Sequence, residues 1–466
     1  MPKKKTALTI EERLQQALVP AEEQPYEVPE NWVWVRLGAF AETISKGTTP
    51  KGGSAAYVDE GVNFLRVENL TSEGYISHSK ITHITEEMHE NYLKRSILKA
   101  NDLLISIAGS LGKSAIVREC DLPINTNQAI AFVRLFADKI DVNYIRNTIE
   151  SPLINSVLTK QTKVTSIPNL TLEIIKDCPI PLPPFLEQQR IVERIEELFA
   201  KLDEAKERLQ EVADSFAVRK AAILHKAFMG ELTKQWRREN GVSDESWEER
   251  LLGDVCTVNP KKIDAKNLDD NLEVSFVPMA AVSDVLGEIV NHEVKNLQDV
   301  RTGFTNFSKG DVIFAKITPC MENGKSAIVG TLVNDIGYGS TEFYVLRCKE
   351  ELNNKYLYHM VRNTTFRAEA KAVMTGAVGQ QRVPKTFLQE YQLLLPTLPE
   401  QHEIVRLIDD LLVRERTAQQ AAEQALATID LMKKSILARA FRGELGTNKA
   451  SEASALELLR QVLAEG

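Results

Sequence analysis

Hydrophobic positions recur at alternating spacings of four and three residues in two long stretches of the chain. The first series of apolar positions runs from Ile191 to Ile223, and the second runs from Ile404 to Ile436. No proline or glycine interrupts either series. This spacing is the heptad pattern of helices that pack as a coiled coil. The pattern therefore predicts two long helices with one apolar seam each.

Prolines precede both stretches, and Gly230 and Gly443 follow them, which sets the expected ends of the helices. At 1.5 Å per residue, each helix is expected to span roughly 65–70 Å. A rod of that length does not fit inside one compact domain. We therefore expect the two helices to pair with each other, in antiparallel orientation.

Each seam carries a single charged residue, Arg219 in the first helix and Glu415 in the second. Antiparallel pairing of the helix centres brings the two within a turn of each other. We predict an interhelical ion pair, which fixes the register more than it stabilises the pair; the alternative is that both side chains point into solvent. The residues expected to pair the helices are Arg219, Glu415, Leu198, Leu202, Leu209, Phe216, Leu411 and Ile429.

The hexapeptide GKSAIV occurs twice, at residues 112–117 and 324–329. Gly-Lys-Ser ends the phosphate-binding P-loop, but that loop also needs a glycine five residues earlier. Ile107 and Pro319 hold those two positions, so neither copy is a P-loop. Each copy is better interpreted as a turn that leads into a short strand.

The two copies belong to a tandem repeat. EQQRIVERIEELF at 187–199 matches EQHEIVRLIDDLL at 400–412, and AAILHKAFMGEL at 221–232 matches KSILARAFRGEL at 434–445. The helical segments keep a fixed length, whereas the segments before them vary. Short β-rich runs and helical stretches in the variable segments predict α+β domains.

The expected architecture is α+β, with two homologous globular domains, two long helices that form an antiparallel coiled coil, and pseudo-twofold symmetry. The expected divisions are an N-terminal extension at 1–28, a first domain at 29–184, a first helix at 185–233, a second domain at 234–399, a second helix at 400–446 and a helical tail at 447–466. The terminal segments 9–20 and 454–466 are both amphipathic, and we expect them to lie near each other.

Composition and charge narrow the function. The chain has 466 residues and a net charge of −8, but residues 354–385 carry six basic residues and one acidic residue. Charge therefore does not exclude a nucleic-acid partner. The five cysteines are scattered, as expected of free thiols in the cytoplasm, and neither they nor the histidines form a metal-binding pattern. No apolar run is long enough to cross a membrane.

Loops rich in glycine, serine and threonine carry basic and amide side chains in both domains. Lysine and arginine contact phosphates, whereas asparagine, glutamine and arginine can read base edges. The alternative for each residue is that it lies in an ordinary solvated loop and has no role in binding. The candidate DNA-binding residues are Lys46, Thr48, Thr49, Lys51, Arg66, Asn69, Lys113, Asn127, Gln128, Lys160, Lys163, Ser166, Lys261, Lys262, Lys316, Lys325, Thr341, Arg362, Lys371, Thr375, Gln380, Gln381 and Arg382.

Two divergent domains, each closed by a helix that begins near EQxxIV and ends in AFxGEL, resemble the specificity subunit of type I restriction–modification systems. The opening PENWVWVRLG at 29–38 is also similar to the start of that family's repeat. The resemblance covers about residues 25–445. The N-terminal extension has no counterpart at the start of the second repeat.

The resemblance implies that each domain is a target recognition domain that reads one half of a split double-stranded DNA sequence. It implies that the helices set the unread gap and dock two methyltransferase (modification) subunits, which restriction subunits join. It further implies that this chain carries no cofactor, because S-adenosylmethionine, Mg and ATP bind the partner subunits.

The residues give no sign of chemistry in this chain. Adenine methyltransferases carry a polar residue before Pro-Pro-Tyr/Phe, but Leu182 stands there in LPPF. We therefore expect a non-catalytic subunit with no metal. The alternative class is a helical scaffold that links two protein-binding domains without DNA. A third class, a nucleotidase, would require that the isolated chain binds ATP.

Overall fold

A computed structural model of the chain describes residues 8–136, 139–160, 169–264, 267–377 and 379–465. The chain divides into two compact units. Unit 1 comprises Met1–Leu209 and Ala425–Gly466, and unit 2 comprises Gln210–Gln424. Each unit therefore contains parts of both long helices.

Thirteen α-helices occur in the described residues, and two of them are far longer than the rest. The long helices have 44 and 43 residues, which corresponds to about 65 Å each. The helices are α1 Ile10–Ala17, α2 Val142–Glu150, α3 Pro152–Lys160, α4 Leu172–Lys176, α5 Phe185–Phe228, α6 Lys234–Asn240, α7 Leu252–Val255, α8 Leu297–Val300, α9 Asn354–Arg362, α10 Thr364–Ala372, α11 Lys385–Glu390, α12 Leu398–Ala440 and α13 Ala455–Glu465.

Unit 1 contains three small sheets, whose strand orders are β2-β8-β5-β6, β4-β3-β7 and β1-β9. Their strands are β1 Val33–Arg36, β2 Ala41–Lys46, β3 Val62–Leu65, β4 Thr82–Ile84, β5 Leu103–Ser106, β6 Ser114–Ile116, β7 Ile124–Thr126, β8 Ile130–Leu135 and β9 Pro179–Leu182. All pairings are antiparallel except β3 with β7.

Unit 2 repeats this arrangement, with sheets β11-β18-β15-β16, β13-β12-β17-β14 and β10-β19. Its strands are β10 Glu248–Leu251, β11 Cys256–Val258, β12 Glu273–Val277, β13 Glu293–Asn296, β14 Thr305–Phe307, β15 Val312–Ala315, β16 Ser326–Ile328, β17 Gly337–Gly339, β18 Phe343–Cys348 and β19 Gln392–Leu395. The single parallel pairing, β12 with β17, occupies the place of β3 with β7. The expected α+β fold with two homologous globular domains is confirmed.

The two GKSAIV copies form equivalent turns and strands. Gly112 and Gly324 have φ angles of +76° and +79°, a region that favours glycine. The following Ser-Ala-Ile residues form β6 and β16, which pair antiparallel with β5 and β15. The hexapeptide therefore marks the same element of two homologous domains.

A buried aspartate in each unit anchors the same pair of strands. Asp102 accepts two hydrogen bonds from Arg134 at 2.8 and 2.7 Å, and Asp311 accepts two from Arg347 at 2.7 and 2.8 Å. The aspartates lie immediately before β5 and β15, and the arginines lie on the neighbouring strands β8 and β18. This bidentate geometry fixes the strand register in both repeats.

The core of each unit joins the globular part to the long helices. In unit 1, the rings of Tyr144 and Phe441 pack edge to face with centroids 5.4 Å apart, and in unit 2 Tyr356 and Phe228 do the same at 5.2 Å. Each pair links a helix of the α+β part to the end of a long helix. Such pairs contribute about 0.5–1.5 kcal/mol beyond their buried area.

The chain termini meet in unit 1, as the two amphipathic segments predict. Helix α1 packs on α13, and Leu14, Leu459 and Val462 belong to the unit 1 core. A capping box formed by Thr9 and Glu12 fixes the start of α1. Helix α13 thereby occupies the apolar face of α1.

The two long helices pair in antiparallel orientation within each unit. In unit 1, the Lys433 ammonium lies 2.5 Å from Asp203, and the Lys206 ammonium lies 3.4 Å from Asp430. Residue numbers thus fall along α12 as they rise along α5, which is the expected direction. The pairing residues Leu198, Leu202, Leu209, Phe216, Leu411 and Ile429 are all buried or half-buried.

In unit 2, the expected ion pair between the seam charges forms. Arg219 Nε donates to Glu415 Oε2 at 2.8 Å, and the guanidinium lies 4.3 Å from the centre of the Phe216 ring. Three other positions of the predicted seams, Val212, Ala418 and Met432, are exposed, which corrects the predicted pattern. A straight helix of 3.6 residues per turn drifts from a 3.5-residue seam, so neighbouring residues such as Ala213 and Lys433 take the half-buried places.

A buried glutamate at the start of each long helix ties it to the segment that follows the other long helix. In unit 1, Glu187 Oε2 accepts from Trp32 Nε1 at 2.9 Å and from Asn448 Nδ2 at 3.0 Å. In unit 2, Glu400 Oε1 accepts from Thr233 Oγ1 at 2.7 Å and from Arg237 Nη1 at 2.6 Å. The glutamate of each EQ motif therefore contacts residues that follow the GEL motif of the other long helix.

The neighbouring glutamines connect the same helix starts to the α+β parts. Gln188 Oε1 accepts from the Asp141 backbone N–H at 3.0 Å, and Gln401 Oε1 accepts from the Asn353 backbone N–H at 2.8 Å. Asp141 and Asn353 are the N-caps of α2 and α9. Each EQ pair thus fixes one globular domain on one helix start.

Exchange of the seam charges tests the pairing in unit 2. The Glu415→Arg variant places two positive charges together and should be destabilised, whereas the double variant Arg219→Glu/Glu415→Arg should regain most of the loss. The side chains are 38% and 27% exposed, so we expect a coupling free energy of at most about 1 kcal/mol. A double-mutant cycle in urea measures it, and a double variant no more stable than Glu415→Arg would contradict the pairing.

Candidate nucleic-acid interface

Three loops of unit 1 meet at one end of its sheets. Strand β2 ends at Lys46, after which Gly47 N donates to Ile130 O at 3.0 Å and Thr48 N donates to Thr126 O at 3.1 Å. A Cβ on Gly47 would lie 2.1 Å from the Asn127 carbonyl oxygen, so only glycine allows this approach. The loop after β2 is therefore held against the loop after β7.

The third loop follows β5 and includes the first GKS turn. Ile107 N donates to Ala129 O at 2.8 Å, and Lys113 N donates to the Ser106 hydroxyl at 2.9 Å. We call the resulting surface the unit 1 edge. It brings together the predicted residues Lys46, Thr48, Thr49, Lys51, Lys113, Asn127 and Gln128.

Four members of the unit 1 edge, Lys46, Lys51, Lys113 and Gln128, are exposed. The Lys51 ammonium lies 5.4 Å from the centre of the Tyr92 ring, which is itself 47% exposed. Asn127 is half-buried, and its Oδ1 accepts from the Ala129 backbone N–H at 3.1 Å. This edge therefore presents cations, amides and an aromatic ring to solvent.

Asn69 does not belong to this surface, which corrects its assignment as a DNA contact. Its side chain is 1% exposed, its Oδ1 accepts from the Arg66 backbone N–H, and its Nδ2 donates to Ser77 O. Arg66 lies near the edge, because Asn127 N donates to Leu65 O at 3.2 Å, but it forms an ion pair with Glu68 at 2.8 Å. Asn69 shapes the turn after β3.

Three further predicted residues follow the end of α3. Lys160 is its last residue, and the structure describes the backbone but not the side chain there. Lys163 and Ser166 lie outside the described residues. Their assignment as DNA contacts stays a prediction.

Unit 2 forms an edge of the same kind. Lys316 N donates to Glu342 O at 2.9 Å, Thr318 N donates to Gln381 O at 3.0 Å, and Val383 N donates to Lys316 O at 2.9 Å. We call this surface the unit 2 edge. It brings together the predicted residues Lys316, Thr341, Thr375, Gln380, Gln381 and Arg382, with Lys261 and Lys262 in the loop after β11.

Arg382 forms an ion pair on this edge, and its assignment as a DNA contact stays a prediction. Its Nε and Nη2 donate to the two carboxylate oxygens of Glu342 at 2.9 and 2.8 Å, and these hydrogen bonds lower the pKa of Glu342. The pairing holds the loop that carries Gln380 and Gln381 against the start of β18. The assignment of the two glutamines as base readers stays a prediction.

Three more predicted cations of unit 2 have partners within the unit, and their assignment as DNA contacts stays a prediction. Lys325 Nζ donates to Met279 O at 3.1 Å, Arg362 donates to the carbonyls of Gly324 and Asp284, and Lys371 forms an ion pair with Glu322. The two GKS lysines therefore differ, because Lys113 is exposed and Lys325 is anchored.

The composition of the loops did not indicate the buried glutamates at the helix starts, Glu187 and Glu400. Burial raises the pKa of Glu187, although Trp32 and Asn448 donate to its carboxylate. The sequence feature that could have revealed these glutamates is the EQ dipeptide, which occurs at the start of both long helices. Within the part of the chain that the structure describes, no three His, Cys, Asp or Glu side chains form a set that could hold a metal ion.

No helix among the described residues combines the length and the apolar character that crossing a membrane requires.

Comparison with known proteins agrees with this repeated architecture. The family model described as "Type I restriction modification DNA specificity domain" matches the chain twice, at residues 29–214 and 244–424. These matches cover most of the chain, and the protein belongs to this family.

The curated relatives that match this chain are specificity subunits of type I restriction enzymes. The EcoEI specificity subunit of Escherichia coli is 32% identical over 260 residues, which cover 47% of this chain and 43% of that protein. The EcoAI specificity subunit is 37% identical over 40% of this chain, but the match covers only 31% of that protein. The StySPI specificity subunit of Salmonella potsdam is 24% identical, over 94% of this chain and 96% of its own.

The HsdS subunit from Thermoanaerobacter tengcongensis shows the same fold. Its crystal structure superposes with a TM-score of 0.63 at 19% identity, covering 91% of this chain and all of that one. A chain from a structural study of "complex assembly and conformational transition of the type I R-M system" gives a TM-score of 0.64 at 18% identity.

Replacement of Gly47 tests the packing of the unit 1 edge. Gly47→Ala forces a Cβ into the Thr126–Asn127 backbone and should cost about 1–3 kcal/mol of stability. Hydrogen exchange should rise in the loops after β2 and β7. Gly330→Ala is the matched control, because nothing lies within 4 Å of its Cβ. Equal protection in both variants would contradict the packing.

Proposed function

We propose that this chain is the DNA-recognition subunit of a type I restriction–modification enzyme and that each unit reads one half of a bipartite double-stranded target. The observation that carries this proposal is the recurrence of one loop edge, with cations and amides, on two homologous α+β domains. Cations at such an edge supply contacts to phosphates, and amides supply contacts to bases.

The two edges differ where base readout would differ. The unit 1 edge offers Asn127 and Gln128 at the end of β7, whereas the unit 2 edge offers Gln380 and Gln381 on a loop held by the Arg382–Glu342 pair. The scaffold is repeated but the amide positions are not. Two different half-targets are expected from such a pair of domains.

The long helices have a second role in this proposal, as docking surfaces for two methyltransferase subunits. Val218 on α5 is 70% exposed and Leu431 on α12 is 64% exposed. They occupy equivalent positions of the repeat, one in each unit. Large apolar side chains exposed on otherwise polar helices favour protein contacts, and their recurrence favours two equivalent partners. Restriction subunits would join this assembly.

No catalytic role is assigned to this chain. In this proposal S-adenosylmethionine, Mg and ATP bind the partner subunits, and this chain recognises the DNA sequence. The competing function, a helical scaffold for two protein-binding domains, predicts no dependence on duplex DNA.

Salt dependence of duplex binding separates these functions. Phosphate contacts release counterions, so affinity should fall steeply as salt rises, and Lys51→Ala should reduce the slope of log K against log salt by about 1. Lys99→Ala is the matched control, because this exposed lysine precedes β5, at the opposite end from the edge. Duplex binding that does not depend on salt concentration, or an equal reduction of the slope in both variants, would count against the proposal.

Helix length tests the spacing function. Seven residues, one heptad, inserted after both Leu209 and Ala422 should preserve the seams and lengthen each helix by about 10.5 Å. Selection of bound duplexes from a random library should then return the same two half-targets with a gap longer by about three base pairs, given 3.4 Å per base pair. An unchanged gap would exclude the helices as the element that sets it.

A further inference from the structure

The second repeat lacks a carboxylate that the first repeat has. In unit 1, the Ser114 hydroxyl at the start of β6 donates to Glu150 on α2 at 2.8 Å. Ser326 holds the same place in unit 2, where it is fully buried and its hydroxyl has no hydrogen-bond partner among the described residues. The position on α9 that corresponds to Glu150 is Arg362. A negative charge has thus been replaced by a positive one.

A second arginine converges on the same turn. Arg362 donates to Gly324 O at 2.8 Å and to Asp284 O at 2.7 Å, and Arg367 donates to Glu322 O. Arg367 Nε is buried and has no partner within the described residues. Backbone carbonyls accept hydrogen bonds but carry no net charge. Neither guanidinium therefore has a counter-ion in the described part of unit 2.

The long helices add two further cations. Lys220 of α5 and Arg416 of α12 line the same cleft as Arg362, which has a volume of about 1160 Å³. Neither side chain forms an ion pair with a described residue. Burial lowers the pKa of Lys220, and the nearby Arg362, Arg416 and Arg367 lower it further. Nearby like charges disfavour the protonated form of Lys220.

The acidic residues of the cleft do not supply that anion. Asp409 accepts from Lys355 and His359, at 2.9 and 3.0 Å, and Glu415 accepts from Arg219. The three other acids that line the cleft, Asp214, Glu288 and Glu423, are exposed to solvent, where their charges are largely screened. Lys220 and Arg362 are half-buried, whereas Arg416 is exposed at the mouth like these acids, so Lys220 and Arg362 are the main cations of the interior.

The rest of the wall is apolar and aromatic. Leu224, Ile289, Leu412 and Tyr358 line the cleft beside the cations. Apolar walls with a few convergent polar groups are typical of sites for small organic ligands. Lysine and arginine together favour a phosphate group, because guanidinium donors match its oxygens.

We propose that the cleft of unit 2 binds a phosphate-bearing anion through Lys220, Arg362 and Arg416. This site goes beyond the proposed function, since it lies between the α+β part and the helix pair of unit 2 rather than on the unit 2 edge. The phosphate belongs either to a free organic phosphate or to the backbone of DNA, which offer the same chemistry to these side chains.

Calorimetric titration of the full-length chain with pyrophosphate tests this site. Wild type should bind, and Lys220→Gln and Arg362→Glu should each weaken binding about tenfold or more, the loss expected for one charge-assisted hydrogen bond. Arg362→Glu also restores the carboxylate of unit 1. Lys355→Gln is the matched control, because it removes a cation of the same cleft that already has a carboxylate partner.

Thermal unfolding verifies that each variant is folded. Lys220→Gln changes a half-buried position of a helix, and its effect on binding is a second result that does not depend on Arg362. Displacement of pyrophosphate by a non-specific DNA duplex would identify backbone phosphate as the source, and retention would identify a free phosphate. Absence of binding by wild type at millimolar pyrophosphate, or an equal loss in Lys355→Gln, would overturn the proposal.

Discussion

A buried carboxylate at the start of each long helix is the interaction on which the architecture depends. Glu187 and Glu400 are both fully buried, and each accepts hydrogen bonds from the segment that follows the other long helix. A charge in that environment is tolerated only when its donors are in place. The helix start, the opposite helix end and the adjacent α+β domain are thereby fixed together in each unit.

The same constraint explains which parts of the repeat kept their length. The EQ glutamates must reach the residues that follow the GEL motifs, and the Tyr144–Phe441 and Tyr356–Phe228 contacts must form in the same units. An insertion in a long helix would separate these partners. The edge loops after β2, β5 and β7 in unit 1, and after β11, β15 and β17 in unit 2, lie outside these contacts, so their lengths and sequences could diverge. The fixed helices and variable edges suit a protein that places changeable recognition surfaces on a constant frame.

Sequence reasoning was reliable where one element determines the outcome. Periodicity predicted the long helices, and the single seam charges Arg219 and Glu415 predicted their contact and direction. It was less reliable where side chains find partners distant in the chain. Loop composition predicted Arg382 as a DNA contact but not its ion pair with Glu342, 40 residues away. It also predicted Asn69 as a DNA contact, but the buried amide of Asn69 closes a turn. Loop composition does not reveal such partners.

The sequence by itself determined the duplication, the α+β class, the two helices and their antiparallel seam. Repeats and periodicities are properties of the order of residues, and they need no knowledge of contacts. Only the tertiary structure decided which loops form the two edges, which cations remain free on them, and that Ser326 lacks the carboxylate which Ser114 has. Those outcomes depend on burial and on distances between residues far apart in the chain, because the same Gly-Lys-Ser turn acquires different neighbours in the two units.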